Sequence, residues 1–447
     1  MKKFFILVLM IIAFEHLLFS QNPNWAAIKA NASFIVHDTT YLEPHIQPVN
    51  VGGWEDGLFI TRCGLHLFCG YWPVDVFTWL NGMQYDPICF DFTPYFRPPL
   101  IGVDTVSNGW GCPNYMQGDI IWASRNSPQE QFVQWQPSSL QKPFSIEGAP
   151  QGILKDSQTW DLFVFTSNQD GFGNENIMFM SNVPLQPNFQ DAVPLFATSE
   201  TEHNPHVERI DANTLVIFFD RGNYVYYSKS YNNGLNWDNP ALITNVINDH
   251  APYDIQPHLW HDGNDWWMYF CADNPNGRRS IYKSKQMIEG DWDSWGAKQI
   301  VIEPGEINDG NSSTYLIGIG EPTLTQWGDI SFVVIYGDYS STDTTDMFDC
   351  DPWFLPKKNS PVSSKQQPEL SKEDEFRIYP NPTTGLTNFE VLEKKSNERI
   401  LIYNSLGKIV FDFQINEKMS LDLSFLPSGI YYVKHAQSNY FYKLVKI

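Results

Sequence analysis

Five acidic positions in this 447-residue chain recur in front of apolar segments. Glu147-Gly-Ala-Pro150, Glu202-His-Asn-Pro205 and Asp254-Ile-Gln-Pro257 each place an acid three residues before a proline. Glu321-Pro322 and Trp54-Glu55-Asp56-Gly57 open related segments. Should Asp56 (or Glu55), Glu147, Glu202, Asp254 and Glu321 converge, their charges interact strongly. Two carboxylates about 7 Å apart repel by roughly 2.4 kcal/mol at an effective dielectric near 20. Such a group either encloses a cation or holds protons near neutral pH. The second outcome is what acid–base cleavage of a glycosidic bond needs. His206 and His258 follow equivalent prolines, with His203 and His261 nearby. With neighbouring carboxylates they could ligate calcium or zinc. Arg278, beside Arg279, could clamp a carboxylate-bearing sugar. Each group has a plainer reading: acids that cap turns or line a solvated funnel, histidines packed on tryptophan, arginines that neutralise acids.

The elements that must carry these residues are strands. After each acid comes a polar turn and an aromatic segment: Asp161–Thr166, Thr214–Asp220, Asp265–Cys271 and Ser331–Tyr336. The first unit has Leu58–Thr61 and Leu65–Cys69. Starts recur every ~50–65 residues after a wider first gap, with no helical period between them. The pattern predicts an all-β chain: a five-bladed β-propeller over residues 21–356, then a small C-terminal β-sandwich. The last unit lacks a fourth strand. The segment Ser33–Pro48 is its expected donor, with Phe34-Ile35-Val36 as the strand core, so that both ends of the ring share a blade. Residues 74–117 read as an aromatic, proline-rich insertion in the first blade.

Several motifs resemble known propellers. The first unit resembles the TolB-type repeat, with Arg62-Cys63-Gly64 in place of the usual Pro-Asp-Gly turn and Asp119-Ile120-Ile121-Trp122 as third strand. Ser230-Tyr231-Asn232-Asn233-Gly234-Leu235-Asn236-Trp237 resembles the Asp-box turn of sialidase-like propellers, with Asn232 for the usual Asp. The acid-bearing inner strands resemble those of five-bladed glycoside hydrolases of families 32, 43 and 68. That resemblance implies Asp56 as base or nucleophile, Glu202 as general acid and Asp254 as supporting carboxylate. Glu147, His206, His258, Glu321 and Arg278 would then contact ligand. The other expectation is a propeller that binds extracellular glycans without cleaving them. No Gly-rich phosphate loop, GxSxG elbow or HExxH stands in the sequence.

Composition narrows the partners. The formal net charge is −22, while the segment from Phe376 has nine Lys/Arg against six Asp/Glu. The negative charge therefore sits ahead of it, which opposes binding to nucleic acid or anionic membrane. Neutral glycans, cations or basic partners suit it. Aromatics make up 15% of residues, with 16 Trp, and a propeller core consumes many of them. Cys63, Cys69, Cys89 and Cys112 lie close together and predict one or two disulfides tying down the insertion, whereas Cys271 reads as a buried thiol.

Both ends read as export signals. Met1-Lys2-Lys3 and the apolar run from Phe4 to Phe14 fit a signal peptide over residues 1–20, with Gln21 as first mature residue and no lipoprotein cysteine. No later segment has the length of a transmembrane helix. Residues 357–375 are a Pro/Ser/Lys/Gln/Glu-rich linker. In the tail, residues 376–447, Leu401 and Tyr403 and then Ile409, Phe411 and Phe413 alternate with other residues as half-buried strands. Ile378-Tyr379-Pro380-Asn381-Pro382 with Gly385, Ile402 to Lys408, Leu421 to Val433 and the final Lys443 to Ile447 resemble the C-terminal sorting domain of the type IX secretion system. The resemblance implies that the secretion machinery is a partner. It also implies delivery to the cell surface or medium after passage through the periplasm.

Overall fold

The computed structural model describes residues 23–77, 97, 101, 118–140, 145–168, 174–196, 198–222, 224–249, 255–341, 346–362, 376–379, 381–391, 398–404, 408–416, 418–435 and 441–446. Two compact units are present, residues 1–366 and 367–447.

In the first unit a short helix, α1 (Trp25–Ala30), precedes β1 (Ala32–Val36) and β2 (His45–Ile46). The strands that follow fall into antiparallel groups. The first is β3 (Trp54–Ile60), β4 (His66–Trp72), β5 (Asp119–Ser124) and β6 (Gln136–Pro137). The second is β7 (Glu147–Leu154), β8 (Thr159–Ser167), β9 (Asn176–Pro184) and β10 (Val193–Pro194). The third is β11 (Glu202–Arg209), β12 (Leu215–Arg221), β13 (Tyr224–Ser230) and β14 (Ala241–Leu242). The fourth is β15 (Ile255–His261), β16 (Trp266–Asp273), β17 (Arg279–Lys285) and β18 (Gln299–Ile307). The fifth is β19 (Thr314–Leu324), β20 (Ile330–Asp338) and β21 (Phe348–Leu355), completed by β2. The first strands pack in a closed circuit, β3 on β7, β7 on β11, β11 on β15, β15 on β19 and β19 on β3. Sheets arranged radially about such a circuit are a β-propeller.

The donor segment differs in detail from the sequence expectation. His45 and Ile46 pair with Phe354 and Trp353 and complete the fifth group. Phe34-Ile35-Val36 instead pairs with Pro304, Glu303 and Ile302 on the outer edge of β18. Phe34 explains the choice, because from that edge its ring reaches Trp353 (4.7 Å) and Phe332 (6.1 Å) of the next group. One segment thus braces two sheets.

A separate apolar cluster fills each interface between neighbouring groups. Phe59, Phe68, Trp160 and Phe163 join the first and second, and Val164, Val207, Leu215 and Phe219 the second and third. Phe218, Leu259 and Met268 join the third and fourth. Tyr269, Ile302, Ile319 and Phe332 join the fourth and fifth, and Trp54, Leu67, Val333 and Phe354 close the ring. Most of the aromatic content is spent here, where each ring buries large apolar area. Cys69 and Cys271 lie in these clusters as buried thiols, and Cys63, also a thiol, contacts Thr61 Oγ1 at 3.4 Å. The disulfide expectation therefore fails for Cys63 and Cys69, and Cys89 and Cys112 lie outside the described residues.

The Asn232 turn has the form its motif implies. Asn232 Oδ1 accepts from Asn236 N (2.9 Å), Gly234 has φ +82°, and Trp237 packs on Phe179.

The second unit is a two-sheet sandwich. One sheet has the order β22 (Phe376–Tyr379), β23 (Leu386–Val391), β26 (Lys418–Asp422). The other has the order β25 (Ile409–Ile415), β24 (Glu398–Asn404), β27 (Gly429–His435), β28 (Phe441–Lys446). Phe389, Ile400, Ile402, Phe413 and Val433 fill its core. On β24 the buried face is Ile400 and Ile402, not the expected Leu401 and Tyr403. Residues 400–403 are all apolar or aromatic, so their alternation gives no parity. The turn at Leu406-Gly407 lies outside the described residues.

Among the described residues no backbone pairing joins β3, β7, β11, β15 and β19 to one another, so side chains must meet the polar groups between them. Arg62, in the β3–β4 turn, does most at one end of the channel. Its guanidinium donates to Leu324 O (3.0 Å), Leu259 O, His258 Nε2 (3.2 Å) and the Glu208 carboxylate, touching three other groups. Burial alone would raise the Glu208 pKa, but the Arg62 charge and His206 outweigh it and bring it to about 2. Asp220 of β12 does the same work at the other end. It accepts from Gln256 N of the next group (3.0 Å) and from Asn204 Nδ2 (2.7 Å). Burial exceeds the help of those bonds and pushes Asp220 up to about 7.

Two outcomes follow. Arg62→Ala leaves a carboxylate and two carbonyls unpaired, so urea denaturation of the mature chain is expected to show a loss of roughly 2–4 kcal/mol. A loss under 0.5 kcal/mol would remove Arg62 from this role. Native Asp220 holds a proton that the unfolded chain releases near the ordinary value of 3.8, so its contribution falls as pH rises from there to about 7. Melting curves from pH 4 to 8 should therefore show wild type losing stability relative to Asp220→Asn. Parallel curves would contradict the assignment.

Candidate functional site

The site begins with a backbone irregularity repeated around the ring. Gly57, Ala149, Asn204, Gln256 and Glu321 all have positive φ, from 44° to 63°. Each sits at a register shift in its first strand. These are β-bulges, and left-handed residues other than glycine cost about 1–3 kcal/mol each. The next residue is Pro150, Pro205, Pro257 or Pro322, which has no N–H to lose from the interrupted ladder. The first group carries Leu58 there, and its N–H needs an acceptor. Glu321 Oε2 supplies one at 2.9 Å across the seam between β19 and β3.

These bulges and prolines line the axial pocket, a narrow cavity of about 20 Å³. That is room for about one water. A sugar ring must sit over this opening, not inside it.

Two carboxyl groups meet at the opening. Asp56 lies beside Glu321. Burial, then the adjacent Asp56 charge, holds Glu321 protonated well above the usual carboxylate range. Asp56 also accepts from Trp54 Nε1 (3.2 Å) and Gly57 N (3.1 Å). Gln256 Nε2 donates to Glu321 Oε1 (3.2 Å), and Gln256 Oε1 accepts from Glu321 N (3.1 Å). Beside them stands Trp72. Its indole occupies space kept clear by glycines: a Cβ at Gly118 would fall 2.1 Å from Nε1, at Gly70 3.1 Å from Cζ3 and at Gly148 3.8 Å from Cη2. Tyr71, next to it, pairs with both Glu55 and Asp119, so the first group's central strand ends here.

Among the described residues, the other expected acids do not reach the opening. Counting from the bulge, Glu55, Glu147 and Glu202 are two residues earlier, whereas Glu321 is the bulge residue itself. Glu147 is fully buried and accepts from Ser145 Oγ (2.5 Å) and Ser167 Oγ (3.0 Å). Glu202, also fully buried, accepts from Arg221 (2.6 Å) and Thr198 Oγ1 (3.1 Å). Glu55 accepts from Val51 N and Trp135 Nε1, both at 3.0 Å. Burial and the neighbouring Asp351 hold its carboxyl well above the usual range. Lys29 of α1 inserts between Asp349 (2.8 Å) and Asp351 (2.7 Å) at the same seam. Asp254 lies outside the described residues.

His206 and His258 do come together, with ring centroids 4.0 Å apart, but at the Arg62 end of the channel. His258 Nε2 accepts from Leu324 N (3.1 Å), and burial, His206 and Arg62 keep it neutral. His206 Nε2 lies 3.8 Å from Glu208, beyond hydrogen-bond reach. The intervening guanidinium suits neither zinc nor calcium. At the other end, Asp56 and Glu321 already accept from two backbone N–H groups and an indole, while calcium takes six to eight oxygens. Among the described residues no group of three or more His, Cys, Asp or Glu is arranged to hold a metal. Arg278 donates to Leu316 O (2.5 Å) and Gly305 O (2.6 Å), which bridges the fourth and fifth groups and spends it on carbonyls.

Sequence reading missed Gln256, Asn204, Asp220, Arg62 and Trp72. For Asn204 and Gln256 the available signal was their place directly before a proline, two positions nearer to it than the acids.

Residues 377–447 match the family described as the secretion system C-terminal sorting domain. No curated protein matches the chain. Among solved structures it is similar to the catalytic domain of a Coprinopsis cinerea GH62 α-L-arabinofuranosidase, at 13% identity over 74% of this chain and 98% of that one, with TM-score 0.41. A thermostable family-43 glycoside hydrolase is similar at 12% identity over 70% and 96%, with TM-score 0.40. The Bombyx mori GH32 β-fructofuranosidase BmSUC1 is similar at 9% identity over 94% and 91%, with TM-score 0.38. The propeller assignment rests on the strand circuit and not on these likenesses. The tail, by contrast, is identified: residues 377–447 are a type IX secretion sorting domain, and the chain is cargo for export to the cell surface or medium.

Proposed function

We propose that the exported propeller binds neutral glycan over the axial opening, with Trp72 as stacking face and the Asp56–Glu321 pair as polar contact, and that it does not cleave it. In this reading the chain reaches the cell surface or medium after loss of residues 1–20. The observation that carries the binding reading is how the acids are spent. Glu55, Glu147 and Glu202 serve buried bonds, and Glu321 serves the Leu58 N–H. Asp56 and Glu321 lie side by side, whereas hydrolases hold two carboxyl groups ~5–10 Å apart. Trp72 supports a sugar ligand, since an indole offers a flat apolar face with a polar edge. The strongly negative charge favours a neutral ligand over an anionic one.

One observation favours a second reading. Glu321 is a protonated carboxyl at an opening, which is what a general acid requires. A hydrolase using Glu321 as acid and Asp56 as partner is therefore the alternative.

The two readings separate in a joint assay. The mature chain is titrated calorimetrically with xylotriose, cellotriose, sucrose and 1,5-arabino-oligosaccharides, and each mixture is assayed for released sugar. Binding without release is expected, weakened about tenfold (~1.4 kcal/mol) by Trp72→Ala. Sugar release that Glu321→Gln abolishes would establish the hydrolase instead. Absence of any binding would defeat both.

A further inference from the structure

A larger cavity opens on the fourth group, at the end of the ring opposite the carboxyl pair. It lies between the turn after β15 and the loop after β17. It measures about 340 Å³ and is lined by His261, Asn264, Asp265, Trp266, Lys285, Gln286, Met287 and Glu289. The axial opening holds about one water, while this cavity is within the range of small-ligand sites.

The cavity is built from braced parts. Trp266 packs edge-on against Trp292 (5.8 Å) and stands at 60° to the His261 ring (4.6 Å). The turn beneath is fixed by Asp262, whose Oδ1 accepts from Asn264 N (2.9 Å) and Asp265 N (2.8 Å) and whose Oδ2 accepts from Trp267 Nε1 (2.9 Å). His261 Nδ1 accepts from Gly263 N (3.2 Å). The loop above is fixed by Gln286, which donates from its backbone to Trp266 O (2.9 Å) and from Nε2 to Asp291 O (3.2 Å). Met287 is 64% exposed.

The lining chemistry selects a ligand. Trp266 and Met287 offer apolar faces, and Asn264 and Glu289 stand exposed at the rim. Asp265 is paired with Lys285 at 2.7 Å, so Glu289 is the lining carboxylate outside that pair. An anionic ligand would meet two carboxylates and a lysine already paired. A basic side chain would find only Glu289. A neutral ring with one apolar face and hydroxyls at its edge meets every feature. We infer that this cavity is a second saccharide site, binding one residue of a neutral glycan on Trp266, with hydroxyls to Asn264, Asp265 and Glu289. It stands independently of the opening beside Trp72, and two such sites on opposite ends would let one propeller hold two glycan strands.

The same oligosaccharides are titrated into the mature full-length chain, its Trp266→Ala variant, a rim variant carrying Asn264→Ala with Glu289→Ala, and Trp72→Ala. Folding of each is checked by circular dichroism. The expected result is a class of sites weakened at least tenfold by Trp266→Ala and by the rim variant, and untouched by Trp72→Ala. If Trp266→Ala does not fold, the exposed rim variant decides alone. Loss through Trp266 and the rim with no effect of Trp72→Ala on any class would uphold this site while defeating the opening as a glycan site. The inference is overturned if no oligosaccharide shows binding sensitive to these substitutions. It is equally overturned if hexalysine binds there in a Glu289-dependent way and the sugars do not.

Discussion

The first strands of a propeller lie side by side without a shared hydrogen-bond ladder. Everything at the axis of this protein follows from that omission. Each such strand carries a bulge with one left-handed residue, and each bulge needs a proline or a borrowed acceptor behind it. Four groups use proline. The first uses Leu58, and the seam where the ring closes is the one where Glu321 must turn a carboxyl oxygen to a backbone N–H. Once Glu321 is committed there, Asp56 is its neighbour, and burial together with that adjacent charge holds the Glu321 carboxyl protonated well above the usual range.

The two ends of the axis are handled differently. At the bulge end the contacts are amides and acids: Gln256 to Glu321, and Asp220 to Gln256 and Asn204. At the other end one arginine gathers two carbonyls, a histidine and a carboxylate from three groups. A single guanidinium can do this because its donors point in several fixed directions within one plane. The apolar clusters between groups supply most of the burial, and these polar links supply the register in which the groups meet.

Much of the architecture was legible in the sequence, because strand–turn–strand units with aromatic second strands repeat at a regular interval. The Asn232 turn was legible for the same reason, since its side chain, glycine and tryptophan each do local work. Site residues were harder to read. An acid three residues before a proline looks equivalent to an acid directly before one, yet the bulge between them sends Glu147 and Glu202 into buried bonds and Glu321 to the axis. The local mark of the bulge is the proline that follows it, and it points to the residue directly before it, not to the acid two places earlier. Arg62 stood in a turn where it departed from the related motif, and its partners lie about 150 to 260 residues away, beyond any local pattern. Phe34 was correctly placed on a strand but on the wrong sheet, because what decides is a contact with Trp353 more than 300 residues on.

The protonation state of Glu321 tests the central arrangement most directly. In protein carrying ¹³C-labelled glutamate, its δ-carbon resonance is assigned by difference from Glu321→Gln and followed from pH 3 to 8. Burial and the adjacent Asp56 charge predict that Glu321 remains a carboxylic acid well past the ordinary value of 4.5, and that Asp56→Asn brings its titration down. Ionisation of Glu321 at about 4.5, unchanged by Asp56→Asn, would show that the two groups do not meet at the axis.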